Sequence, residues 1–124
     1  MEELEAGPPD EVAIENAYRK AAAVAKDAEG ETVLGVDTIV SIGARVYGKP
    51  RDAQQARETL RALSGRSHAV ISGVCLIEEG RARTALARTL VEVRPLGDEL
   101  IDWYVETGEW CERAGGYAIQ GRGA

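Results

Sequence analysis

One carboxylate, Asp37, interrupts the run Val33–Ile42, whose other residues are apolar, small or hydroxyl-bearing and read as a strand. Taking an ionised carboxylate out of water costs several kcal/mol unless a cation, a metal ion or a set of hydrogen bonds compensates it. A strand built for stability alone places Val or Ile there, so Asp37 is the first catalytic candidate. The local alternative is that the run ends near Val36 and Asp37 opens a turn or caps a neighbouring amide. Other residues offer less by type and position. Lys49 stands between Gly48 and Pro50, which fix the backbone around it, while Lys20 has the setting of a solvated helix lysine. Arg66 reaches either a phosphate or the end of the preceding helix. Cys75 and Cys111 lie in different segments without metal-ligand spacing, and His68 is the one histidine that could join them. Both cysteines are expected as reduced thiols, and His68 as a strand residue satisfied by hydrogen bonds.

These residues need elements to hold them. Pro8-Pro9-Asp10 stops the entry segment and offers Asp10 as N-cap of a helix over 11–28, with apolar residues Ile14, Ala17, Tyr18, Ala21, Val24, Ala25 and Ala28 at three- and four-residue spacing. A buried strand follows over 33–42, then a tight connection at Gly43-Ala44 and a returning strand over 45–47 that ends at Gly48-Lys49-Pro50. Asp52 can cap a second helix with Ala53, Ala56, Leu60 and Leu63 on one face, stopped by Gly65. Strand-like runs over 69–77 and 84–93 flank Glu78-Glu79-Gly80-Arg81, which has the length and glycine of a hairpin connection. Asp98 opens a short helix through Val105 that ends at Gly108. The order predicts an α/β or α+β architecture, a mixed sheet with packed helices. No GxGxxG or GxxxxGK[ST] pattern is present, which removes the usual phosphate-cradling loops.

Composition narrows the partners. The 124 residues carry a formal charge of −6, which disfavours a nucleic-acid duplex because phosphate backbones are bound through clustered Lys and Arg. A small anion held by a few local cations remains compatible. There is no Phe and aromatic residues make up 5%, so the core is built from Val, Ile, Leu and Ala. No stretch approaches a membrane span, and the acidic start Met1-Glu2-Glu3-Leu4-Glu5 lacks the regions of a secretory signal, so a cytoplasmic location is the expectation.

Four ordered motifs carry a family resemblance: Gly35-Val36-Asp37-Thr38, Gly48-Lys49-Pro50-Arg51-Asp52, Leu63-Ser64-Gly65-Arg66-Ser67-His68 and Ala114-Gly115-Gly116-Tyr117-Ala118-Ile119-Gln120-Gly121. In order and spacing the chain resembles the Maf family of nucleoside triphosphate pyrophosphatases, and Asn16-Ala17-Tyr18-Arg19-Lys20-Ala21 extends the match towards the N-terminus. The resemblance implies the fold shared with the inosine triphosphate pyrophosphatases, a single domain over 1–124, and hydrolysis of a nucleoside triphosphate to the monophosphate and pyrophosphate with Mg2+ or Mn2+. Asp37 then matches the family's catalytic carboxylate, as base or as metal ligand, and Glu3 a second carboxylate at the metal. Lys20 and Lys49 match lysines that stabilise triphosphate charge. Thr38 and Gln120 match positions that separate branches of the family and point to dTTP and UTP as substrates. A homodimer is implied as well.

Members of the family open with a strand and a Ser-Pro-Arg-Arg type loop that helps to bind phosphate, and they continue past the Ile-Gln-Gly segment. The resemblance therefore implies a Maf-like domain truncated at both ends. Its alternative function is a catalytically inactive remnant that binds a nucleotide or a partner in cell-division control.

Overall fold

The computed structural model describes residues 7–28 and 30–117. Its elements are α1 (Pro9–Ala25), β1 (Val33–Ile42), β2 (Arg45–Tyr47), α2 (Ala53–Leu63), β3 (Ser67–Glu78), β4 (Arg81–Glu92), α3 (Asp98–Thr107) and a 3-10 turn, Ala114–Gly116. The strands form one sheet in the order β2-β1-β3-β4. The α/β architecture expected from the sequence is present, and all three pairings between these strands are antiparallel. β1–β2 and β3–β4 are hairpins, whereas β1 and β3 pair across the intervening β2 and α2. β3 and β4 close through Glu79 and Gly80, both at positive φ (50° and 77°), the backbone that a two-residue hairpin turn requires.

Two helix boundaries differ from expectation. Asp10 is not the N-cap of α1: Pro8 holds that position, and Asp10, in the first helical turn, receives a 2.8 Å hydrogen bond from Arg88 of β4. Proline at the first helical position has no N–H to satisfy, so the helix starts without a side-chain cap. α1 also ends at Ala25 rather than Ala28, although Ala28 still packs beside Ala17, Ala21, Val33 and Cys75. The start of α2 follows the sequence, with Asp52 accepting the Gln55 N–H at 2.8 Å.

α1 lies across one face of the sheet, and two glycines let it in. A Cβ on Gly35 would stand 2.4 Å from the Ala17 carbonyl oxygen, and one on Gly73 would stand 2.4 Å from that of Ala13. Such distances are far inside van der Waals contact, so the helix backbone rests directly on bare strand backbone, with Ala13, Ala17 and Ala21 as its contact residues. Val12 and Ala13 join Ile39, Ala69 and Ile71 in one core cluster. A second cluster, Ala56, Leu60, Ile101, Tyr104 and Val105, binds α2 to α3. This unit reaches the sheet through Gly115, where a Cβ would lie 2.7 Å from Val40 Cγ2. On the sheet face opposite α1, Leu34 and Val36 remain 62% and 46% exposed. No helix among the described residues is long and apolar enough to cross a membrane.

Candidate active site

Asp37 sits in the middle of β1, paired with Gly73 of β3, and is 6% exposed. The turn reading is thereby excluded. Its side chain points to the face that α1 covers, as alternation with Val33, Gly35 and Ile39 requires. Lys20, from the fourth turn of α1, donates from Nζ to Asp37 Oδ1 at 2.7 Å. That ammonium compensates the buried carboxylate, and the close seat of α1 on Gly35 and Gly73 delivers it. Lys20 is therefore no solvated surface lysine; its side chain is 27% exposed. The second oxygen, Oδ2, is buried without a hydrogen-bond partner among the described residues. Burying a carboxylate oxygen that binds nothing is costly, so this atom marks a place for a ligand, a metal ion or a water.

Asp37 lines a cleft of about 490 Å³ together with residues of α1, β2, the segment after β2, and α2. Thr38 and Lys49 line the same cleft. The Thr38 hydroxyl is 2.9 Å from that of Ser72, and Lys49 Nζ donates to Glu112 at 3.4 Å in an exposed pair. Further polar and charged lining residues, Glu58 among them, were not singled out as site residues from the sequence. Arg45 and Arg51 add two cations beside Lys49, and Asn16, 2% exposed, stands one helical turn before Lys20. The sequence held signals for both: 45–51 contains three cations and no carboxylate in a chain of charge −6, and Asn16 and Lys20 are spaced i, i+4.

Arg66 is not brought to this cleft. It is exposed in the turn between α2 and β3, where its carbonyl accepts the Val93 N–H. Ser67, its neighbour, stands six positions along β3 from Gly73, roughly 20 Å from Asp37 at strand rise. Glu3 and Gln120 lie outside the described residues. His68 is buried on β3; its Nε2 is 2.5 Å from the Tyr117 hydroxyl, but its Nδ1 has no hydrogen-bond partner among the described residues, contrary to the expectation of a fully satisfied strand histidine. Burial lowers the His68 pKa and raises those of Tyr117 and Cys75. Both cysteines are unpaired, Cys75 buried and Cys111 exposed.

Among the described residues, no group of three or more His, Cys, Asp and Glu side chains is placed to hold a metal ion. A single carboxylate is nevertheless a sufficient protein anchor for Mg2+ when phosphate oxygens and water complete its shell, and the unpartnered Asp37 Oδ2 fits that mode.

The comparisons with known proteins agree with the motifs. The chain is 45% identical to a dTTP/UTP pyrophosphatase of Pyrococcus horikoshii over 90% of its own length and 60% of the relative's. It is 48% identical to a dTTP/UTP pyrophosphatase of Thermococcus gammatolerans over 98% of its length and 65% of the relative's. A protein of the same name from Anaeromyxobacter dehalogenans is 48% identical over 94% of this chain and 60% of its own length. The chain thus spans 60% to 65% of the length of these curated relatives. The model of the family described as Maf-like protein matches residues 1–124, and the chain belongs to that family.

Proposed function

We propose that this chain is a metal-dependent nucleoside triphosphate pyrophosphatase acting on dTTP and UTP. The observation that carries the reading is the buried Asp37–Lys20 pair on the wall of a cleft that Arg45, Lys49 and Arg51 also line, with Asp37 Oδ2 lacking a hydrogen-bond partner among the described residues. The names of the relatives, dTTP/UTP pyrophosphatase, support the substrate class.

In the reaction a water oxygen bonds to the α-phosphorus and the bond from that phosphorus to the α–β bridging oxygen breaks, releasing pyrophosphate. The chain's own groups divide the work. Arg45, Lys49 and Arg51 neutralise the triphosphate as its charge shifts to the leaving group. Lys20 holds Asp37 in one orientation through Oδ1, which leaves Oδ2 for a metal ion or the attacking water. Asp37 and Glu3 would hold a divalent cation, which supplies Lewis-acid polarisation of the phosphate oxygens. Thr38 and Gln120 are assigned to substrate selection: an amide offers both donor and acceptor to the edge of a pyrimidine. Arg66 is assigned no contact, since its position lies far along the sheet from Asp37.

The test is pyrophosphate release by the purified chain with Mg2+ or Mn2+ and dTTP, UTP or GTP, beside the Asp37→Asn variant. Turnover of the pyrimidine nucleotides that is lost in the variant is the expected result. Absence of release from a demonstrably folded chain refutes catalysis by this chain and leaves the second reading, a non-catalytic module that binds a nucleotide or a partner. The exposed Leu34 and Val36 favour that alternative.

A further inference from the structure

The segment 110–117 touches the loop that carries Lys49 at three points. The Gly115 N–H donates to the Gly48 carbonyl at 3.1 Å, a Cβ on Gly116 would lie 3.4 Å from Pro50 Cγ, and Glu112 pairs with Lys49 itself. Gly115 also rests on Val40 in a left-handed conformation (φ +70°), where any side chain would collide at 2.7 Å. The segment is thus wedged between the sheet and the Gly48-Lys49-Pro50 loop and sets that loop's position from behind. Two side chains hold the wedge at its ends. Trp110 Nε1 donates to the Val105 carbonyl at 2.8 Å, and Tyr117 meets His68 edge to face with its hydroxyl against Nε2. The His68 ring is 2% exposed and leaves Nδ1 without a partner among the described residues. A core position occupied for packing alone is better served by an apolar ring, which has no polar atom to desolvate. The contact with Tyr117 is what a histidine adds there.

We infer that His68 is a positioning residue for the Lys49 phosphate contact, acting through Tyr117 and the Gly115–Gly116 wedge. The inference rests on Lys49 being such a contact, as the proposed function holds. Tyr117→Phe is the informative variant, because it removes the hydroxyl and keeps the ring that packs on the α2–α3 cluster. In the variant, exchange of the Gly115 amide hydrogen with solvent accelerates about tenfold while that of Ile71 in β3 is unchanged. Binding of inorganic tripolyphosphate, followed by calorimetry without any turnover, weakens about fivefold in the wild-type background and not at all in the Lys49→Ala background. Unchanged Gly115 exchange overturns the inference. So does a fall in melting temperature with tripolyphosphate affinity intact, which makes the pair merely structural, and so does an effect that adds fully to that of Lys49→Ala. If Lys49→Ala alone leaves tripolyphosphate affinity intact, the phosphate role of Lys49 fails and this inference with it. If it weakens binding while Tyr117→Phe does not, only the inference about His68 fails.

Discussion

At the scale of single residues, the organising fact is that one buried carboxylate is half satisfied. Lys20 occupies Oδ1 of Asp37 and nothing among the described residues occupies Oδ2. Three predictions separate the structural half from the chemical half. Lys20→Ala leaves a buried charge without compensation and should lower stability by about 3 kcal/mol, the range found on breaking buried pairs, as read by urea unfolding. The double variant Lys20→Met, Asp37→Leu restores apolar compatibility and should regain most of that loss. Asp37→Asn keeps the size of the side chain and removes its charge. Its effect should fall on turnover, about 100-fold or more in pyrophosphate release, for a group that handles a proton or orients a cation.

At the scale of elements, the pair exists because α1 can come close enough to β1 and β3. Gly35 and Gly73 are the reason, since a methyl group at either meets a carbonyl oxygen of the helix at 2.4 Å. Gly73→Ala should cost about 1–3 kcal/mol through overpacking and should push Lys20 away from Asp37, so that pyrophosphate release falls more than the loss of folded protein explains. Equal losses of folded fraction and activity would show that the helix does not position the lysine. Removing the α2 cap with Asp52→Ala should cost about 1 kcal/mol and leave the Lys20–Asp37 geometry intact, because the cap lies on the far wall of the cleft.

At the scale of the whole molecule, buried and half-buried titratable groups outside the Asp37 pair shape stability against pH. An unfolded chain protonates His68 as pH falls through the ordinary value of 6.5, whereas the folded chain resists to lower pH, so stability drops as pH falls through that window. On the alkaline side the folded chain keeps the protons of Cys75 and Tyr117 past their ordinary values of 9.0 and 10.0, while the unfolded chain releases them, so stability drops as pH rises. Melting temperature against pH should therefore show a plateau between these limits, with its acid shoulder reduced in His68→Phe. The exposed Leu34 and Val36 predict self-association in sedimentation, weakened by Leu34→Lys; a monodisperse monomer at all concentrations would count against it. The order of elements, the α2 cap, the β3–β4 hairpin and the suspicion attached to Asp37 were legible in the sequence, because each depends on residue type and spacing within a short window. Ordered motifs likewise made the family legible. What only the tertiary structure decided concerns partners distant in sequence. It joined Lys20 to Asp37, 17 residues apart, turned Asp10 from a cap into the partner of Arg88, placed Arg66 outside the cleft lining, and bound His68 to Tyr117, 49 residues on. No local pattern encodes such pairs, since each depends on how elements distant in sequence pack; for Lys20 and Asp37 the bare backbone of Gly35 and Gly73 lets α1 rest on the sheet.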